Sequence, residues 1–262
     1  MNIYSSNNKL FLVSLAFILL FIINIFHSTW WVNGSNAIDP FIYWGTSQNY
    51  EYFKYHFSDS YYFRRWILIY PLMFMQYFFD AGVAKFLLAN LFLFVILLLI
   101  LKICKDLFGD YASGIFVCAV MGFDANILNA IQMEHVTNIS VFITIITFSY
   151  LFTVIDENNF IHRKHMFFLF LLSQSLIISF PLFIFFSVSL AGTFWFINSF
   201  YFHKNIFKEF LFITLLFTAS LISIILFDLI VFKIQGINLE NIISFSLGVQ
   251  SSFQLEGSSW KT

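Results

Sequence analysis

From Leu10 to Trp31 the chain carries no Asp, Glu, Lys or Arg, and runs almost as apolar recur along its whole length. About 20 such residues in a helix cross the hydrocarbon of a bilayer. No water reaches backbone polar groups at that depth, so a helix, which satisfies them within one segment, is the expected conformation. The pattern predicts an all-α fold, a polytopic transmembrane helix bundle. Only 10% of the 262 residues are charged, against about 25% in a soluble domain. The 40 Phe fit lipid-facing helix surfaces and say little about function.

The apolar runs predict about seven spans. Leu10–Trp31 is the first. Asp39 to Arg65 reads as a Tyr-rich polar loop. Trp66–Phe79 is apolar but too short to cross upright, which suits an interfacial helix. Val83–Ile103 is the second span and ends at Lys102 and Lys105, with a turn at Lys105–Asp110. Tyr111–Phe123 starts the third, with room to continue toward Gln132. Thr137–Ile155 is the fourth. Asp156–His165 is a charged connection. Met166–Phe202 exceeds one span, and Pro181 interrupts its hydrogen-bond ladder, so two helices joined near Ser179–Pro181 are expected. His203–Phe210 is a basic connection, and Leu211–Phe232 is the last span.

Short-loop cations favour an N-terminus inside. The inner connections then hold Lys102, Lys105, Arg163, Lys164, Lys204 and Lys208. The outer side holds Asp39, Glu51, Asp59, Asp124, Glu134 and Glu240, although Arg64 and Arg65 run against the bias. Residues 1–232 form the expected membrane domain and 233–262 an extracytoplasmic tail. The first run is longer than a signal-peptide core of about 7–15 residues and lacks an A-x-A-like site, so it is expected to stay as a span. Richness in Phe, Ile and Asn points to an AT-rich bacterial gene and to the bacterial inner (plasma) membrane.

A net charge of -1 supplies no basic field for nucleic acid. Cys104 and Cys118 fall in or beside apolar runs without C-x-x-C spacing and read as packing thiols. Neither a P-loop, a G-x-S-x-G elbow nor an H-E-x-x-H zinc motif occurs. No metal-ligand set is legible.

What remains is polar chemistry at the outer helix ends. Asp39 follows span one, and Glu134, with His135 beside it, precedes span four. A general base must come within hydrogen-bond reach of its proton, which only the fold decides. The guanidinium forks of Arg64 and Arg65 match phosphate oxygens, and equally suit headgroup anchoring. Tyr43, Tyr50, Tyr52, Tyr61 and Tyr62 suit stacking on a sugar or an interfacial belt. Asp228 lies within the last span, where a carboxylate costs roughly 2.5–3.5 kcal/mol on insertion scales. Its nearness to Lys233 equally suits snorkelling. His162, His165 and His203 read as solvated flanks.

This layout resembles the N-terminal half of GT-C fold glycosyltransferases, near the protein O-mannosyltransferases and lipid A aminoarabinose transferases. The resemblance runs over about residues 10–200. It rests on Asp39 after span one, Tyr43, Arg64 or Arg65, and Pro71. It continues through "DAGVAKFLLANLFLF", the Phe-Gly turn of "LKICKDLFGDYASGIFVCAV", and Glu134 in "MEHVTNISVF". Pro40 is not demanded by that pattern, and family members usually add further spans and an extracytoplasmic region. The resemblance implies transfer of a sugar from polyprenyl phosphate to an acceptor hydroxyl on a glycan, lipid or protein. Asp39 is then the general base, Arg64 or Arg65 grips the leaving phosphate, and Glu134, Tyr43 and His135 orient the reactants. A single-phosphate donor lets arginine stand in for a metal, and a divalent metal stays an open question. Two rivals stay open as well. One is an inactive remnant or non-catalytic membrane subunit. The other is a transporter or flippase of lipid-linked sugars.

Overall fold

The computed structural model describes residues 3–26, 44–57, 66–124, 128, 136–156, 160–179 and 184–236. Asp39, Tyr43, Arg64, Arg65, Glu134 and His135 lie outside the described residues, as does most of the tail from residue 237. The rest is helical apart from one two-residue pairing of strands. Helix α1 is Ile3–Phe26, α2 Tyr50–Phe57, α3 Trp66–Gln76, α4 Ala81–Phe108, α5 Ala112–Phe123 and α6 Val136–Val154. Then β1, Ile155–Asp156, pairs antiparallel with β2, Phe160–Ile161. Helices α7, Arg163–Ser179, α8, Ile184–Phe196, and α9, Ile206–Gln235, complete the bundle.

Among the described residues, four helical stretches are long and apolar enough to cross a membrane: Lys9–Phe26, Ala81–Phe108, Ile184–Tyr201 and Ile206–Gln235. Their length and composition are those of an integral membrane protein. The other expected spans are helical but shorter. Helix α5 has 12 residues, α7 has 17, and the apolar part of α6 runs from Ser140 to Val154.

Several boundaries move. Helix α4 continues through Lys102 and Lys105 to Phe108, so the turn begins later than expected, at Gly109. There a φ of 80° closes the helix with the Gly109 N–H on the Lys105 carbonyl, a backbone conformation that glycine adopts without steric cost. Helix α5 ends at Phe123, with Asp124 in extended backbone, and the stretch on toward Gln132 lies outside the described residues except for Leu128. Just before the first turn of α5, the Asp110 side chain accepts from the Ser113 N–H at 3.0 Å. That bond holds the carboxyl below the usual aspartate range. Helix α9 starts at Ile206, inside the expected basic connection, because the Asn205 side chain caps it by accepting from the Lys208 N–H at 3.0 Å. The join expected near Ser179–Pro181 lies at residues 180–183, outside the described residues, with α7 described to Ser179 and α8 from Ile184.

The core between α1, α4 and α5 is aliphatic: Ala16, Leu93, Ile96, Leu97, Leu101 and Cys118 are fully buried. Gly114 lets α5 approach α4 closely, since a Cβ there would lie 3.1 Å from the Leu101 Cα. Side-chain polar groups inside the bundle pair across helices. Asn24 donates to Asn90 at 2.8 Å, Ser220 to Gln174 at 2.7 Å, and Ser173 and Ser187 meet at 2.9 Å. Such bonds tie apolar helices together where hydrophobicity gives no preference for protein over lipid.

The two ends of the bundle differ. At one end Lys102 donates to Asp106 at 2.8 Å and to Thr153 at 2.9 Å, and Arg163 stacks 4.1 Å from the centre of the Phe212 ring. His165, expected as a solvated flank, is instead half-buried and bonds the Tyr150 hydroxyl at 2.7 Å. At the opposite end, α2 and α3 meet the last turns of α9.

Candidate functional site

The 39–65 stretch, expected as loop, is helical over 44–48 and again in α2. Tyr50 and Phe53, one turn apart, share a face and pack on Phe232 of α9. Phe232 is 1% exposed. Packing against α9 is what offsets the weak helical tendency of so short and aromatic a segment. Helix α3 also falls short of a span, with 11 residues and Pro71 inside it. Its Ile69 is buried against Ile143 of α6 and Leu176 of α7, so α3 packs on other helices instead of standing alone as a span.

Trp66, the first residue of α3, donates from Nε1 to Asp228 Oδ1 at 2.9 Å. Its ring meets Phe227 edge-on at 5.6 Å and lies 6.4 Å from Tyr70. Asp228 is half-buried. Its carboxylate is therefore engaged by an indole across the chain, which snorkelling toward Lys233 would not give. The Tyr70 and Tyr50 hydroxyls are 3.4 Å apart. Burial pushes the Tyr50 phenol above the ordinary tyrosine range, and the Tyr70 hydroxyl and Glu51 add to the shift. The neutral phenol is the favoured form, so its contribution to stability is complete below about pH 10 and is lost only above it. Tyr50 is a hydrogen-bonding group at neutral pH, and not a base.

Around this aromatic patch lies a ring of uncharged polar groups. Gln76 donates to Ser47 Oγ at 3.0 Å, and Ser47 donates to the Trp44 carbonyl at 2.7 Å. Three neighbours have no answer among the described residues. The Trp44 Nε1, the Thr46 hydroxyl and both amide atoms of Gln235 are buried without a hydrogen-bond partner. Asp228, Phe232 and Gln235, at helical spacing, share one face of α9. The backbone ends its helix at Gly236 with φ 71°.

Sequence reasoning weighed Asp228 and Tyr50 singly and did not join them to Trp66, Trp44, Thr46 or Gln235. The Tyr50–Phe53 spacing in "YEYFKYHF" was an available sign of a short packed helix. The far end holds a second surprise: Ile197–Tyr201 is a π-helical turn. Asn198 and Ser199 are buried in it, and neither the Asn198 amide atoms nor the Ser199 hydroxyl has a hydrogen-bond partner among the described residues. Among the described residues no group of three or more His, Cys, Asp or Glu could hold a metal ion.

The Trp66–Asp228 bond makes a prediction. Asp228→Leu leaves the indole N–H without this acceptor and lowers stability by about 1–3 kcal/mol. Asp228→Asn keeps an acceptor oxygen and costs less. Thermal unfolding of both variants in one detergent checks the order, and equal losses would mean the bond is not what matters.

No family model, curated protein or solved structure matches this chain.

Proposed function

We propose that this protein is a membrane glycosyltransferase that moves a sugar from a polyprenyl-phosphate donor to an acceptor hydroxyl on the extracytoplasmic side. The observation that carries the reading is the cluster at one bundle end. Trp66 donates to the Asp228 carboxylate, Tyr70 lies beside Trp66 and meets the Tyr50 hydroxyl, and Trp44, Thr46 and Gln235 carry buried polar atoms without partners among the described residues. Rings and uncharged donors and acceptors at the end of membrane helices are the chemistry that a lipid-linked sugar needs. Two parts of the expected site adjoin this cluster in the chain. Arg65 directly precedes Trp66, and Tyr43 directly precedes Trp44.

In the proposed reaction Asp39 takes the proton of the acceptor hydroxyl. The acceptor oxygen bonds to the anomeric carbon as the bond from that carbon to the phosphate oxygen breaks, with inversion. The electron pair leaves with polyprenyl phosphate, and Arg64 or Arg65 stabilises the charge that develops there. Glu134 and His135 orient donor or acceptor. The seven-span topology with a cytoplasmic N-terminus belongs to this reading and sets the cluster outside.

A lipid-linked sugar transporter would need unpaired polar groups along a path near the midplane. Asn24, Asn90, Gln174, Ser173, Ser187 and Ser220 instead bond one another between helices, which favours chemistry at the helix ends. Incubating the protein in liposomes with radiolabelled polyprenyl-phosphate sugars and membrane extract separates the readings. A covalent product on an acceptor is expected. Movement of label across the bilayer without product would support the transporter and end the transferase proposal.

A further inference from the structure

The unanswered groups near the end of α9 differ from ordinary buried polar atoms. Thr46 is 0% exposed and Gln235 3% exposed, and neither side chain has a hydrogen-bond partner among the described residues. Buried polar atoms are nearly always paired, so unmatched ones in a functional cluster ask for a ligand. They gather around one contact. A Cβ on Gly45 would lie 3.7 Å from the Phe53 ring, which puts the 44–46 turn on Phe53. Phe53 in turn packs on Phe232, one helical turn before Gln235. We propose that this junction of the 44–48 turn, α2 and the last turn of α9 binds the neutral, hydroxyl-bearing ring of a sugar through Trp44, Thr46 and Gln235.

The class of ligand follows from the donor inventory. Trp44 can only donate, Thr46 can donate and accept, and Gln235 offers two donors and an acceptor. A metal ion would be repelled by the indole N–H, and a phosphate would leave the amide and hydroxyl acceptors unused. A polyol answers all of them, and the faces of Phe53 and Phe232 suit the apolar side of a pyranose. A cation lies at the edge, where Lys54 Nζ comes within 3.7 Å of a Cβ placed on Gly236. A cation there suits the phosphate that links such a sugar to its lipid. The unpaired atoms are closed off from solvent, so a sugar enters by parting the 44–48 turn from α9. The inference rests on the reading of this bundle end as the donor site and names which residues meet the sugar.

The test uses the whole chain in phospholipid nanodiscs and three probes: polyprenyl-phosphate glucose, polyprenyl-phosphate mannose and bare polyprenyl phosphate. At least one sugar-bearing lipid is expected to bind about tenfold tighter than the bare one, since sites built to hydrogen-bond a ligand discriminate strongly against its absence. Thr46→Val and Gln235→Leu should bring that ratio close to one with the bare-lipid Kd unchanged. Thr46→Ser keeps the hydroxyl and should keep the preference. The first two substitutions remove unmatched polar atoms, so Tm should hold or rise. A wild type without preference, or a preference that survives both substitutions, overturns the inference. Preference lost on substitution without any covalent transfer would sustain it and remove the transferase reading. Transfer with a ratio indifferent to both substitutions would do the reverse.

Discussion

Under the proposed mechanism, Asp39→Asn is expected to lower sugar transfer by about 100- to 10,000-fold, the range for loss of a positioned general base. The carboxamide has nearly the same shape and cannot take a proton. Membrane insertion and detergent Tm are expected to match the parent, because the exchange removes a charge without removing volume. The loss should fall on kcat, with donor KM little altered, since proton transfer matters only on the way to the transition state. Single-turnover assays with saturating donor measure it. Turnover equal to the parent would sink the assignment of Asp39.

Phe232→Ala destabilises the protein by about 3–5 kcal/mol, the usual cost of deleting a buried phenylalanine. Phe232 is 1% exposed and is the contact between α9 and the Tyr50–Phe53 face of α2. Lipid is as apolar as the protein interior, so within the membrane the cost is mainly lost packing. At this helix end, however, the contact also holds a short helix in place. Phe232→Ala should therefore expose α2 to protease before the bundle itself unfolds, while Phe232→Leu does so less. Limited proteolysis and thermal unfolding of both variants give the check. A melting temperature unmoved in the alanine variant would show that α2 is held by other contacts.

The all-helical membrane fold was legible because apolar runs carry it, and backbone satisfaction in lipid leaves little choice of conformation. Helix ends were less legible. Lys102 and Lys105 look like a terminus, yet α4 absorbs both, with Lys102 bonded to Asp106 one turn on. The π-helical turn at Ile197–Tyr201 leaves no periodic trace in so apolar a segment. The cluster at the end of α9 was hidden for a different reason. Trp66 and Asp228 are 162 positions apart, and nothing local announces the hydrogen bond between them. The unmatched Trp44, Thr46 and Gln235 become visible only when burial is known. Asp39, Tyr43, Arg64, Arg65, Glu134 and His135 rest on the resemblance and on residue chemistry, and lie outside the described residues.

On the proposed function, a lipid-linked sugar is handled where α2, α3 and the last turns of α9 meet. Photo-crosslinking with a polyprenyl-phosphate sugar bearing a diazirine on the sugar, followed by peptide mass spectrometry, tests it most directly. Label is expected on peptides spanning 44–76 and 228–236, competed by unlabelled donor. Competable label at the Arg163–His165 end, or spread along α7 and α8, would contradict it.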